Sequence, residues 1–188
     1  MNNDENILNC ALKLFAARGY DSVGIQEVVD VAGVTKPTLY HYFDNKKGLL
    51  ESILDLNFKN LFIELSKNAI YDGDILNTLL RTVRAYFNFA ESNKDFYRLH
   101  LSLWFAPPQS ESCRLVNPHL AKEYKMIEKI FLDAVTDHGN MKNRHREYAI
   151  SFQGTVNTYI GLYLNGYSSL DENVIRALVK QFMHGLFS

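Results

Sequence analysis

Apolar residues in this chain recur at steps of three and four, over long stretches that carry almost no helix breakers. Four prolines (Pro37, Pro107, Pro108, Pro118) and ten glycines are all that interrupt its 188 residues. Such spacing lines one stripe of a helix with 3.6 residues per turn, whereas strands need strict alternation. The expected fold is all-α. Leu8, Ala11, Leu12 and Phe15 mark a first helix that closes at Gly19, a glycine in the place of a C-cap. Ile25, Val28, Val29 and Ala32 mark a second, about two turns long and ended by Gly33. Thr35 then serves as an N-cap, with Pro37 in the first turn, where its missing N–H breaks no intrahelical bond. Leu39 and Phe43, four apart, turn this third short helix inward.

Three short helices bury little on their own. A longer pattern from Lys46 to Asn68, with Leu49, Ile53, Leu56 and Phe62, joins them to a larger body. Asp74 caps the next helix, marked by Ile75, Leu79, Val83, Tyr86 and Phe87. The run from Asp95 to Phe105 is apolar almost all round, as a buried helix is. Further helices are expected from Pro118 to Asp137, from Asn143 to Gly166, and from Asp171 to Phe187, where Leu186 ends the last apolar stripe. The reading is about nine helices: a three-helix unit over residues 1–47, then a helical bundle over 48–188.

Composition narrows the classes of function. With 20 Lys and Arg against 21 Asp and Glu, the net charge is −1, which gives no global attraction to nucleic acid or to an anionic membrane. Cys10 and Cys113 lack CxxC spacing, so neither a zinc site nor a disulfide framework is indicated, and a reducing compartment is expected. The chain opens Met1-Asn2-Asn3-Asp4-Glu5, acidic where a signal peptide is basic, and no apolar run approaches the ~18 residues of a membrane helix. A soluble cytoplasmic protein with no membrane partner is the expectation. Nucleophile elbow, HExxH and phosphate-binding glycine loop are all missing, so an enzyme is not expected, and no cofactor or metal is called for. His138 and His145 are seven apart, but Gly139 and Asn140 interrupt any helix between them.

From Ile25 to Phe43 the pattern is helix, tight turn at Gly33, helix. In a helix-turn-helix the second helix enters the DNA major groove while the first braces it. With Leu39 and Phe43 inward, Thr35, Lys36, Thr38, Tyr40, His41 and Tyr42 lie outside or on the flanks. A cation, hydroxyls and phenols at a helix N-terminus suit phosphates and base edges. Lys46 and Lys47 stand where the next helix starts and oppose its macrodipole, which a nearby negative group would explain.

The stretch Ala32-Gly33-Val34-Thr35-Lys36-Pro37-Thr38-Leu39-Tyr40-His41-Tyr42-Phe43-Asp44-Asn45-Lys46-Lys47-Gly48-Leu49 closely resembles the DNA-binding motif of the TetR family of transcriptional regulators. The resemblance reaches upstream through Phe15, Gly19, Tyr20 and Ile25 and covers about the first 50 residues. It implies that Lys36, Pro37 and Thr38 sit nearest base edges, while Thr35, Tyr40, His41, Tyr42 and Lys46 contact or flank phosphates. Two positions depart from the family pattern. Val23-Gly24 stands where members usually carry Thr-Thr, which removes a hydroxyl available to phosphate, and Val28-Val29 stands where Ile-Ala is common.

One recognition helix covers only a few base pairs, so a two-fold homodimer on a double-stranded operator is expected, with its helices about 34–36 Å apart. In the penultimate helix Phe152, Val156 and Ile160 step by four, and Gly154 and Gly161 fall on nearly one face. A mid-helix glycine costs about 1 kcal/mol relative to alanine, so two of them suggest close approach by another backbone. Val179 and Phe182 of the last helix join this expected dimer interface, which the resemblance implies is built from the last two helices of each subunit. Tyr97, His100, Trp104 and Phe105 belong to an aromatic concentration suited to lining a site for a small, largely apolar or aromatic ligand.

The expected function is a ligand-responsive regulator, a repressor that binds a palindromic operator and is released by a small-molecule inducer. The competing readings are a helical protein-interaction module and a small helical enzyme. Charge by segment favours DNA. Residues 1–34 hold Lys13 and Arg18 against Asp4, Glu5, Asp21, Glu27 and Asp30, a net of −3; residues 35–50 hold Lys36, Lys46 and Lys47 against Asp44, a net of +2; and residues 51–188 balance. The positive charge is confined to the expected reading surface.

Overall fold

The computed structural model describes residues 2–184, the side chain of Asn140 excepted. These residues form α1 (Asn3–Arg18), α2 (Ile25–Ala32), α3 (Lys36–Phe43), α4 (Lys46–Asn68), α5 (Ile75–Ser92), α6 (Lys94–Trp104), α7 (Glu111–Asp133), α8 (His145–Leu164) and α9 (Glu172–His184). Two 3₁₀ turns lie between α7 and α8, and no strand occurs among the described residues. The chain divides into two compact units, Met1–Lys59 with Asn93–Leu120 and Asn60–Ser92 with Ala121–Ser188. Two of the three divisions fall inside α4 and α7 and the third between α5 and α6, so the unit that contains the three short helices extends well beyond residue 47.

In the first unit α1 buries Ile7, Ala11 and Phe15, one residue every turn, with Leu8 and Leu12 on the flanks of that stripe. The stripe packs on α6, whose Phe96, Tyr97, Leu99, His100 and Leu103 are buried, and on α2, which buries Val28, Val29 and Ala32. Asn6 Nδ2 donates to the Ala32 carbonyl at 2.7 Å, and Arg18 pairs with Glu27. Both ends of α2 are thereby tied to α1. The early turns of α4 contribute Leu49, Leu50, Ile53, Leu54 and Phe58, all essentially without solvent exposure.

In the second unit α5 packs on α8 and α9 through a stripe that includes Ile75, Leu79, Val83, Tyr86 and Ala90. Phe131, Phe152 and Phe182 form a cluster with ring centroids 5.3–6.0 Å apart, the separation at which edge-to-face and tilted pairs attract beyond simple area burial. The Arg84 guanidinium joins α5 to α9 by two hydrogen bonds to the Glu172 carboxylate, at 2.5 and 3.2 Å. Glu123 on α7 is fully buried and accepts a hydrogen bond from the Tyr86 hydroxyl at 2.9 Å.

The element types agree with the spacing, but some bounds and faces do not. α7 begins at Glu111 rather than Pro118, because Ser110 caps it: the Ser110 Oγ accepts from the Cys113 N–H at 3.1 Å, and Pro118 sits inside the helix. Leu56, expected on the inner face of α4, is half exposed. The last helix is described to His184, so Leu186 and Phe187 lie outside the described residues.

The start of α9 gives a test. Asp171 Oδ1 accepts from the N–H groups of Asn173 and Val174, at 2.8 and 3.1 Å, and Oδ2 accepts from the Ser169 hydroxyl at 2.7 Å. The Ser169 bond and then the backbone N–H groups hold this carboxyl below its ordinary value of 3.8. A carboxyl depressed in the folded state stabilises fully above its unfolded pKa and loses that contribution as pH falls through its folded one. Asp171→Ala is expected to lower the thermal midpoint by a few degrees at pH 7. Followed by circular dichroism, the gap between variant and parent should shrink below about pH 4 and be smallest in strong acid.

Candidate nucleic-acid interface

The α2–α3 pair is set by one left-handed residue and one cap. Gly33 has φ 66° and ψ 32°, the αL conformation that glycine adopts without steric cost. The N–H of Gly33 bonds the Asp30 carbonyl, and that of Val34 bonds Val29, so α2 closes its last carbonyls before the chain turns. Thr35 then caps α3: its Oγ1 accepts weakly from the Thr38 N–H at 3.4 Å and lies 2.9 Å from the Thr38 hydroxyl.

Leu39 and Phe43 anchor α3 at 0% and 8% exposure. Everything polar on α3 is thereby turned outward. Lys36, Pro37, Tyr40, His41 and Tyr42 are exposed together with Thr35, and Thr38 is half-buried. The His41 and Tyr42 rings meet edge to face at 5.1 Å, forming an aromatic ledge beside the Tyr40 phenol, which is 43% exposed. α3 carries no acidic residue in its first turn, so its N–H groups and positive dipole end stay open to an anion.

The α3–α4 corner fixes where this surface ends. Asp44 takes a positive φ of 57°, the Asn45 N–H returns to the Phe43 carbonyl at 2.5 Å, and Asn45 Oδ1 caps α4 by accepting from the Gly48 N–H at 2.9 Å. A Cβ at Gly48 would lie 2.3 Å from the Phe43 carbonyl oxygen. Only glycine fits there. Lys47 pairs with Glu51 at 3.5 Å, whereas the half-buried Lys46 rests its Nζ 4.1 Å from the centroid of the Tyr20 ring. At the start of α2, Gly24 offers no side-chain cap, and the nearby Ser22 hydroxyl donates to the Arg18 and Gly19 carbonyls.

Residues 7–53, which hold this whole arrangement, match the family described as bacterial regulatory proteins, tetR family. The HTH-type transcriptional activator FasR of Mycolicibacterium smegmatis is 30% identical over 131 residues, 70% of this chain and 56% of FasR. Over residues 7–53 the chain carries the TetR-family DNA-binding motif. A second relative, the HTH-type transcriptional regulator AcrR of Shigella flexneri, is 36% identical over 76 residues, 40% of this chain and 35% of AcrR. The chain thus spans little more than half of FasR and about a third of AcrR. In fold the chain is similar to FadR of Bacillus subtilis, solved in complex with stearoyl-CoA, with a TM-score of 0.80 at 17% identity, covering 97% of this chain and 99% of FadR. The relatives are transcriptional regulators, not enzymes.

Other residues singled out in the sequence fall in three places. Tyr97, His100 and Trp104 come together in the first unit: the buried His100 ring lies 5.1 Å from Tyr97 and 5.9 Å from Trp104, with Phe58 at 5.2 Å. Phe105 does not join them; it is 83% exposed, just past the end of α6. Phe152, Val156, Ile160 and Val179 have no exposed surface and pack α8 and α9 within their own unit. Gly154 is exposed, Gly161 and Phe182 are half-buried, and on the same outer side of α8 stand the exposed Ile150, Thr158 and Leu162. The buried stripe of α8 packs against the Phe131 and Phe182 rings of its own unit.

Asn45, Gly48 and Tyr20 stand in the motif, but spacing alone assigns none of them a role. An Asn three residues ahead of a glycine, at the start of an apolar period, is a readable N-cap; the glycine's steric role is not, since it depends on where the preceding carbonyl points. Gly48→Ala should force α3 and α4 apart, lowering the thermal midpoint by roughly 3–10 °C. Calorimetry on the purified variant tests this, and an unchanged midpoint would refute the close approach.

Proposed function

We propose that the chain is a ligand-responsive transcriptional regulator that binds a palindromic DNA operator as a homodimer and acts as a repressor. The observation that carries this reading is the outward polar face of α3, anchored by Leu39 and Phe43 and capped by Thr35. Lys36, Pro37 and Thr38 face base edges in the major groove. Thr35, Tyr40, His41, Tyr42 and Lys46 meet the flanking phosphates. With so few cations per reading surface, non-specific affinity is weak and salt-sensitive, and specific binding requires two copies. The second copy is received on the outer side of α8 and α9, where Gly154 leaves open space and Ile150, Leu162 and Met183 expose apolar surface.

A ligand that is largely apolar or aromatic regulates this binding. Tyr97, His100 and Trp104 supply aromatic wall and one polar handle. FadR of Bacillus subtilis, similar in fold, was solved with an acyl-CoA, so acyl thioesters belong in the first ligand panel. The covalent path from sensor to reading head is α4, and a ligand shifts the DNA-binding arrangement only by its differential affinity for the two states.

Selection of duplexes from a random library by the purified full chain is expected to enrich a palindrome with half-sites about one helical turn apart. On that duplex, Lys36→Ala combined with Tyr40→Ala should weaken binding on the order of 100-fold. Retained affinity in the double variant would favour a protein-interaction module instead.

FasR is a named activator, so the sign of regulation has its own test. With the selected site placed over a reporter promoter, expression is expected to fall on production of the protein and to recover on addition of the cognate ligand. A rise on production would make the chain an activator. Operator affinity that is the same with and without saturating ligand would sink the induction mechanism.

A further inference from the structure

Tyr20 lies in the turn between α1 and α2 with only 5% of its surface exposed, its ring set edge to face against Phe15 at 5.2 Å. Both ends of the phenol are engaged. The Lys46 ammonium sits over the ring face at 4.1 Å, and also 6.0 Å from Phe15. The hydroxyl donates to Glu111 Oε1 at 2.5 Å, across 91 residues of sequence. Lys46 is the first residue of α4 and Glu111 the first of α7. Charges act on the pair as well: Asp21 and Glu111 both attract the ammonium, against the burial that lowers its pKa.

We propose that Glu111, outside the segment that carries the reading motif, is a positioning residue for DNA binding: through the Tyr20 hydroxyl it fixes the ring on which Lys46 rests, and so fixes where that ammonium meets a phosphate. The proposal rests on the DNA-binding reading given above. Lysine has many rotamers to lose when it is immobilised against a phosphate. One already seated on an aromatic face has lost much of that freedom before DNA arrives. The ring can serve as a seat only if its tilt is fixed. Phe15 supports one side of it, and Glu111 holds its far end. A carboxylate in the first turn of α7 suits the positive end of the helix dipole and is a strong acceptor for the phenol.

The corner is not sealed core. An open cleft of about 360 Å³ lies beside it, bordered by Arg18, Tyr20, Asp21, Ser102, Phe105 and Ser112. Water can therefore replace the lost partner when Glu111 is changed, and the fold tolerates the change. A second consequence follows: any displacement of the first turn of α7 is relayed to Lys46 without passing along α4.

The test uses the full chain and a fluorescent duplex enriched by the wild-type protein, titrated at several salt concentrations. Lys46→Ala should weaken binding several-fold and flatten the slope of log affinity against log salt by about one unit. Glu111→Ala and Tyr20→Phe should each weaken binding roughly threefold with a partly flattened slope, and Glu111→Gln, which keeps an acceptor oxygen, should restore most of the affinity. In a Lys46→Ala background, Glu111→Ala should have no further effect. An equal loss in that background, or a loss with an unchanged salt slope, would assign Glu111 a merely structural role and overturn the proposal. Wild-type affinity in both Glu111→Ala and Tyr20→Phe would overturn it as well, while leaving the DNA-binding reading intact. A wild-type chain that enriches no duplex overturns both.

Discussion

An eight-residue helix makes only a few internal hydrogen bonds, too few to offset the cost of starting it. The reading motif contains two such helices, α2 and α3, so neither stands without a surface to lie on. That surface is α1, and α1 in turn is held by α6. Ile7, Ala11 and Phe15 on one side and Leu99, His100 and Leu103 on the other have 3% exposure or less. The α2–α3 pair is thus supported by residues about 60 positions beyond it in the chain. This explains why the compact unit is discontinuous in sequence and why a cut after residue 47 leaves the reading helices without their support.

The same economy governs the charges. A net charge of −1 would repel or ignore DNA if spread evenly, but three of the acidic residues near the reading head are engaged by neighbours. Glu27 is drawn onto Arg18, Glu51 onto Lys47, and Glu111 onto the Tyr20 hydroxyl. What remains exposed on α3 is Lys36, the phenols, His41 and the threonine cap. Local placement decides the potential an approaching phosphate meets, because a Debye length of about 8 Å at physiological salt hides the rest.

Local features were legible in the sequence and long-range ones were not. Gly33 and Thr35 are statements about one turn of backbone, and their roles follow from residue type and spacing alone. The inner faces of α1 and α3 follow from period. Pro118 misled, because a proline suits the first turn of a helix and an interior position is recognisable only once Ser110 is seen to cap earlier. Tyr20 and Glu111 are 91 residues apart with no pattern between them, and their meeting depends on how α6 folds back on α1. Phe105 continues the aromatic run of α6 in sequence yet stands outside it, because the helix ends at Trp104 and the next residue leaves its axis.

The stripe on α8 shows that a period fixes which residues share a face but not what that face packs against. Phe152, Val156 and Ile160 recur every four residues because they face α5, α9 and the Phe131 ring inside their own unit. On the opposite side Gly154 has nothing within 4 Å of where a Cβ would stand. An alanine there would fit the chain and, by helix propensity, stabilise it by about 1 kcal/mol. Among the described residues nothing offsets that cost. A contact that needs the backbone bare would offset it, and the exposed Ile150 and Leu162 on the same side give that contact apolar surface to bury. The glycine once grouped with the phenylalanine beside it thus belongs to the other face of the helix, the one that the proposed second copy would cover.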